Sequence, residues 1–221
     1  GAASVAGLVR RGELSRAEGE RLLGFCNNSG PAFMLGAAGA GVFGSARAGI
    51  LLYVCHILAA LLSGLLLSFG HRSRSFTRPE PSPICEGALS AAVLASVRNM
   101  LNVCGFVVAF GVVTGVLTAV GLLPALALDL SRLTGLEVSA CRALLTGFFE
   151  LGGGVGAMRG LAAAPANLAV CAAIVGWGGL SVHLQTSAVA GDMKTARHFA
   201  GRCLSAVFSC VFAYILASAA L

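Results

Sequence analysis

Polar and helix-breaking residues run consecutively inside an otherwise apolar stretch near the start of the chain. Asn27, Asn28, Ser29 and Gly30 stand directly before Pro31. Proline lacks an amide hydrogen and disfavours helix for the residue before it, so we expect a helix to break here. Inside a bilayer, the freed backbone groups must be satisfied by protein or by a water-filled cavity. We therefore predict a polar substrate cavity at this level; the alternative is a kink whose asparagines hold neighbouring helices together.

A second stretch of this kind is an acidic residue followed by glycines. Glu150 precedes the segment 152–156, in which four of the five residues are glycine. Such a segment holds a helix poorly, and its backbone amides can bind an anion. Glu150 is the only acidic residue inside a predicted membrane segment, which makes it a functional candidate. The structural alternative is that its carboxylate caps the loop amides or pairs with Arg159.

The third stretch places several polar side chains within a long uncharged run. Ser181 and Gln185 are four residues apart and share one face of a helix, with Gly178 one turn earlier. His183 and Ser187 form a second such pair. These positions predict a polar stripe that faces the cavity, although His183 could equally be a hydrogen-bonded structural histidine.

The sequence carries no recognisable catalytic arrangement. It contains no P-loop, no cofactor fingerprint and no cluster of His, Cys and carboxylate residues at metal-ligand spacing. The eight cysteines form no C-x-x-C pair, and His56 has little polar company in the sequence. We therefore expect reduced core cysteines, a structural His56, no metal, no cofactor and no enzymatic activity.

The composition identifies the class of protein that must position these stretches. Of the 221 residues, 57% are apolar and only 11% are charged, against about 25% in soluble domains. The mean hydropathy is +0.88. The net charge of +6 comes from arginines between long uncharged runs, which excludes disorder and argues against nucleic-acid binding. We expect an all-α, polytopic transmembrane helical bundle in the cell membrane, with discontinuous helices and a re-entrant hairpin.

Segments without acidic or basic residues predict how the chain crosses the bilayer. One segment, 143–158, is short and contains Glu150, so it suits a re-entrant hairpin better than a crossing. Five longer segments each reach the roughly 20 residues that a crossing helix needs. They are 22–46, 48–70, 99–128, 160–191 and 203–221.

The basic residues and the connecting segments complete this predicted topology. Eleven of the fifteen basic residues, Arg202 among them, would lie on one side, which the positive-inside rule makes cytoplasmic. Ser15 and Glu18 predict a capping box in an amphipathic helix, 12–23. The proline-rich segment 71–83 is predicted to connect the two halves of one membrane domain, 1–221, and 84–98 to form an interfacial helix.

Taken in order, the three polar stretches resemble the sporulation integral membrane protein YlbJ family. The resemblance rests on LSRAE (14–18) and FCNNSGP (25–31), on Glu150 with its glycines, and on GGLSVHLQ (178–185). It covers nearly the whole chain and implies membership of the nucleoside-recognition, or Gate, domain group. Members of the family are longer at the N-terminus, so we expect this chain to be the C-terminal part of a longer Gate-domain protein.

The resemblance implies a function that composition cannot supply. It implies export of dipicolinic acid from the mother cell towards the forespore, across the outer forespore membrane, during sporulation. It also implies kinship with concentrative nucleoside transporters, so the alternatives are a carrier of a nucleoside or another metabolite and a non-transporting sporulation scaffold. The oligomeric state is left open.

Dipicolinate is a planar aromatic dianion, so its site needs amide donors or cations, and Trp177 or Phe149 could stack on its ring. An ionised Glu150 would repel this dianion, so Glu150 either carries a coupling proton or organises the glycine loop. A coupling proton or cation would accompany the dianion. The predicted substrate-binding residues are Asn27, Asn28, Ser29, Gly30, Glu150, Gly152, Gly153, Gly154, Gly178, Gly179, Ser181, His183 and Gln185.

Overall fold

The computed structural model describes residues 1–69 and 87–220, which form helices and contain no strand. The predicted connecting segment 71–83 lies outside the described residues. Within them are α1 (Ala2–Arg10), α2 (Arg16–Leu23), a π-helix (Ala32–Val42), α3 (Ala46–Ser68), α4 (Ala88–Ala119), α5 (Leu122–Thr134), α6 (Val138–Phe149), α7 (Leu151–Gly156), α8 (Pro165–Trp177), α9 (Gly179–Ala190) and α10 (Ala196–Ala220).

Four helical segments in the described part of the chain are long and apolar enough to cross a membrane. They are α3, most of α4, α8 together with α9, and α10. The predicted all-α, multi-pass membrane architecture is confirmed. The main core lies where α8 packs between α10, α3 and α6, and small residues allow close contact there: a Cβ built on Gly176 would lie 2.6 Å from Ala206 Cα.

The predicted first crossing, 22–46, is not one continuous helix. Residues 27–30 are non-helical and separate α2 from the π-helix. The segment nevertheless runs antiparallel to α3 along most of its length. A Cβ on Gly24 would lie 3.0 Å from Leu67 Cδ1, near the end of α3, and one on Gly39 would lie 2.5 Å from Gly49 Cα, near its start. The chain therefore passes the bundle beside α3 with its helix interrupted between α2 and the π-helix. The capping box of α2 forms as predicted, between Ser15 and Glu18.

The region around α4 differs from the prediction in both of its boundaries. Instead of an interfacial helix at 84–98 and a crossing at 99–128, α4 is one helix from Ala88 to Ala119. The chain then turns at Gly121, whose φ of +79° is a left-handed conformation that glycine adopts without steric cost. The uncharged run continued past this turn into α5, which is why it suggested a later end.

The short segment around Glu150 folds as a helical hairpin. Glu150 has an extended backbone and joins α6 to α7. A Cβ on Gly154 would lie 2.3 Å from Gly147 Cα, so the two backbones are in contact and α7 folds back along α6. The chain thereby returns to the end of the bundle at which α6 began, where α8 starts. This is the re-entrant hairpin that the sequence predicts.

The ends of the bundle differ in charge, as predicted, with one correction. Among the described basic residues, seven lie at the end formed by α1, α2, the start of α4 and the start of α10, and four lie at the opposite end. The exception is Arg202, which was predicted at the first of these ends. It is 2% exposed and lies inside the bundle, because α10 begins six residues earlier and carries it inward.

Candidate functional site

A buried arginine lies where two interrupted segments of the chain meet. The guanidinium of Arg202 donates hydrogen bonds from Nη2 to Val175 O (2.6 Å) and from Nε to Trp177 O (3.4 Å). From Nη1 it donates to Asn27 O (3.2 Å) and Asn28 Oδ1 (3.3 Å). None of the ion pairs formed by the described residues involves Arg202. It is therefore a fixed positive charge balanced by neutral oxygen atoms.

Those oxygen atoms are available because the helices are interrupted. The last carbonyl groups of a helix have no partner within the helix, and α8 ends at Trp177. Gly178 and Gly179 follow with φ of +85° and +84°, so the chain leaves the helix there before α9 begins. The carbonyl of Asn27 belongs to the other non-helical segment. Arg202 thus satisfies carbonyls at both breaks, next to the negative end of the α8 dipole.

Asn27, Asn28 and Ser29 form hydrogen bonds to three different helices. Asn27 Nδ2 donates to Thr186 Oγ1 of α9 (3.0 Å), and the Ser29 amide donates to His56 Nε2 of α3 (3.2 Å). Asn28 Nδ2 donates to the Phe25 carbonyl (2.7 Å) while its Oδ1 accepts from α10. These three predicted residues are half-buried. Their bonds to α3, α9 and α10 hold helices together and also face Arg202.

Three histidines, His56, His183 and His198, are buried on the helices around this cation. Only some of their ring nitrogens have hydrogen-bond partners among the described residues. His198 Nδ1 is bonded to Leu23 O (3.0 Å), and its ring centroid lies 5.1 Å from that of His183. In the described part of the chain, neither nitrogen of His183 has a hydrogen-bond partner, and the same is true of Ser181 Oγ. Buried polar atoms without partners are rare in folded proteins. The nitrogens of His183 are the atoms of this cluster best placed to bind a ligand.

An aromatic group borders the same cluster. The ring of Trp177 lies 4.3 Å from that of His183 and is stacked parallel to Phe148 at 5.6 Å between centroids. Its Nε1 donates to the Phe148 carbonyl (3.0 Å), which fixes the orientation of the indole. A flat hydrophobic face is thereby held beside buried imidazole nitrogens.

Glu150 is engaged with the glycine segment. Its carboxylate accepts hydrogen bonds from the amides of Gly152 (2.7 Å) and Gly153 (2.5 Å), and its carbonyl accepts from the amide of Gly154 (3.0 Å). Glu150 is 6% exposed and acts as the N-cap of α7. This is the capping arrangement that the sequence left open as an alternative, and it occupies the amides that were expected to face an anion.

The three polar stretches meet at the interrupted helices. A Cβ on Gly179 would lie 3.0 Å from both Leu151 N and Phe149 O, so the break after α8 touches the tip of the α6–α7 hairpin. One on Gly178 would lie 3.5 Å from Arg202 Nη2. Of the other predicted residues, Gly30, Gly152 and Gly153 are exposed and Gln185 is half-buried on α9.

Sequence reasoning missed Arg202 and His198 as parts of the site. Both lie on α10, four residues apart, and so share one face of that helix. The available signal was an arginine directly followed by a long apolar run, which is also what a residue at the membrane surface shows. Only its partners on distant segments distinguish the two situations.

No protein-family model matches the chain, and no solved structure matches it. It is 32% identical to the sporulation integral membrane protein YlbJ of Bacillus subtilis (strain 168), over an alignment of 248 residues. The alignment covers 98% of this chain. The resemblance to the YlbJ family is confirmed. The chain spans 60% of the length of the YlbJ relative, and its crossing helices agree with an integral membrane protein of that family.

Proposed function

We propose that this chain belongs to a membrane carrier that binds a small organic anion at Arg202 and exposes it alternately to the two sides of the bilayer. The observation that carries the proposal is the buried guanidinium without an acidic partner among the described residues. Burying a charge costs several kcal/mol, which is a large share of the roughly 5–15 kcal/mol of free energy by which a folded protein is stable. Ionisable residues inside membrane bundles mark substrate and ion pathways more often than they serve packing.

The surroundings of Arg202 support an exchangeable anion. Its four acceptors are carbonyl or amide oxygens, which lower the cost of the charge without neutralising it. A carboxylate entering the cluster would gain a charge-assisted hydrogen bond, worth roughly twice a neutral one. The unpartnered nitrogens of His183 and the hydroxyl of Ser181 supply further polar contacts.

The interrupted helices give the proposed movement a structural basis. Secondary carriers commonly bind substrate between discontinuous helices near the middle of the membrane, and their halves move around that site. Here the non-helical residues 27–30, the Gly178–Gly179 break and the hairpin tip at Glu150 come together at one level. Chain segments without a regular hydrogen-bond ladder can change conformation at lower cost than intact helices.

The finer proposal names dipicolinate as the anion, exported from the mother cell across the outer forespore membrane, with a proton or cation coupled to its movement. It rests on the relationship to YlbJ, whose name states a sporulation integral membrane protein. Dipicolinate has two carboxylates and a flat ring, which suit a guanidinium beside the Trp177 and His183 rings. This proposal makes the protein a carrier and not an enzyme.

Transport by the complete protein in proteoliposomes tests the proposal. We expect uptake of labelled dipicolinate, a loss of at least tenfold in Arg202→Gln, and partial retention in Arg202→Lys, which keeps the charge but not the planar fork. Arg159→Gln is the matched control, because Arg159 is exposed at the opposite end of the bundle. It should transport normally.

The same preparation separates the alternatives. Uptake of labelled uridine without dipicolinate uptake would indicate a nucleoside carrier and refute the anion proposal. Absence of any uptake by protein that elutes as a single folded species would favour a scaffold. Equal dipicolinate uptake by wild type and Arg202→Gln would remove Arg202 from the site even if transport itself were real.

A further inference from the structure

A cavity that lies apart from the Arg202 cluster opens at the predicted cytoplasmic end of the bundle. It has a volume of about 740 Å³ and lies between α1, the first third of α4 and the C-terminal end of α9. Its polar lining includes three arginines, Arg10, Arg11 and Arg98, together with Ser4 and Asn99. None of the described residues in this lining is acidic.

The described residues neutralise the arginines of this cavity only in part. Arg11 pairs with Glu13. Arg10 and Arg98 take part in none of the ion pairs formed within residues 1–69 and 87–220. Asp192 lines a smaller neighbouring cavity of about 360 Å³, which shares Arg10 with the first. The larger cavity therefore carries an excess of positive charge and favours an anionic ligand.

The rest of the cavity wall is apolar and leads onto the surface of α4. Ala95, Leu8 and Val189 line the cavity beside the arginines. Two and three residues beyond Arg98, the side chains of Met100 and Leu101 are 68% and 66% exposed, and exposed apolar residues continue along α4 towards its other end. A water-soluble anion would use only the arginines. A ligand with an anionic head and long apolar chains would contact both parts.

We infer that this cavity binds an anionic phospholipid, with its phosphate between Arg10 and Arg98 and its acyl chains along the exposed face of α4. Basic pockets between membrane helices at the cytoplasmic surface are suited to such headgroups. The bound lipid would also connect α4 to α1 and α9. Among the helices that the structure describes, α4 packs mainly against α9, α5 and, to a smaller extent, α6. The inference does not depend on the proposed transport function.

Native mass spectrometry of the complete, delipidated protein tests this inference. The protein is titrated with phosphatidylglycerol, with phosphatidylcholine and with soluble glycerol 3-phosphate. We expect a saturable phosphatidylglycerol adduct at least tenfold tighter than either of the others. The double variant Arg10→Gln/Arg98→Gln should weaken it about 10- to 30-fold, since each basic residue near a membrane surface contributes about a factor of five.

The matched control is the double variant Arg132→Gln/Arg159→Gln, which removes two exposed arginines from the opposite end of the bundle. It should bind phosphatidylglycerol like the wild type. Equal affinity for phosphatidylcholine, or unchanged binding in the Arg10/Arg98 variant, would overturn the inference. Equal affinity for glycerol 3-phosphate would overturn the lipid assignment in favour of a site for soluble phosphates. If the Arg10→Gln/Arg98→Gln variant does not fold, the test uses the wild-type protein. Phosphatidylglycerol must then raise its melting temperature more than phosphatidylcholine does, and an equal effect would overturn the inference.

Discussion

The side-chain oxygen of Asn28 accepts a hydrogen bond of 3.3 Å from Arg202, 174 residues later in the chain. The bond joins the non-helical segment after α2 to the helix that ends the described chain. Each feature alone would be costly inside a membrane: the non-helical segment at Asn28 leaves backbone groups unpaired, and Arg202 is a buried charge. Together, the guanidinium satisfies open backbone oxygens and those oxygens stabilise its charge.

Ser181→Ala should reduce transport several-fold while leaving protein abundance unchanged. Ser181 Oγ is buried and has no hydrogen-bond partner among the described residues, so its removal breaks no bond that holds the fold. The measurement is dipicolinate uptake normalised to membrane abundance. Ser209→Ala is the control, since Ser209 is equally buried and unpartnered but lies two turns along α10 from Arg202. Loss of protein in Ser181→Ala would indicate a structural role instead.

Glu150→Ala should destabilise the protein by about 1–2 kcal/mol, and Glu150→Asp should recover most of that loss. The carboxylate caps α7 through the amides of Gly152 and Gly153, and aspartate at an N-cap position can bond the same two amides. Thermal unfolding in detergent measures both variants. If Glu150→Ala melted like the wild type, the cap would have no energetic weight. That result would contradict the capping role and favour the alternative that Glu150 carries a coupling proton.

Local signals in the sequence predicted local features of the fold correctly. The Ser15–Glu18 capping box and the hairpin at Glu150 each depend on residues within a few positions of one another. Long uncharged runs were less informative about helix ends. The run through 99–128 crosses the Gly121 turn, because a turn at the membrane surface needs no charged residue.

Arg202 shows what the sequence could not reveal about the site. A basic residue before an apolar run is assigned to the nearer membrane surface by the usual charge argument. Its burial depends on carbonyls at Val175 and Asn27, which are open only because two other segments break at the same level. The glycines and asparagines marked those breaks in the sequence, but no local pattern shows which distant side chain fills them.

Gly179→Ala should lower the yield of folded protein sharply. Its φ of +84° costs roughly 1–2 kcal/mol for a residue with a Cβ, and that Cβ would stand 3.0 Å from Leu151 N and Phe149 O. Backbone on both sides leaves little room to relax. Size-exclusion profiles of tagged protein measure the folded fraction. Gly156→Ala, in open space on α7, is the control and should fold normally; normal folding of Gly179→Ala would mean that the hairpin tip does not touch this break.

Gly201→Ala should separate α10 from the end of α2. A Cβ at this position would lie 1.9 Å from the carbonyl oxygen of Gly24, a distance that no side-chain rotation can relieve. One turn away on the same helix, His198 is bonded to Leu23 O, so that bond should be lost as the helices move apart. We expect a melting temperature several degrees lower and reduced uptake together.

The control for this contact is Gly105→Ala, a change in a helix position with no neighbouring atom within 4 Å of the new Cβ. Alanine favours helix over glycine, so this variant should melt at the wild-type temperature or slightly above it. A Gly201→Ala protein with wild-type melting and transport would show that α2 and α10 are not in backbone contact. In that case Arg202 would also lose the close approach of the 27–30 segment on which its position depends.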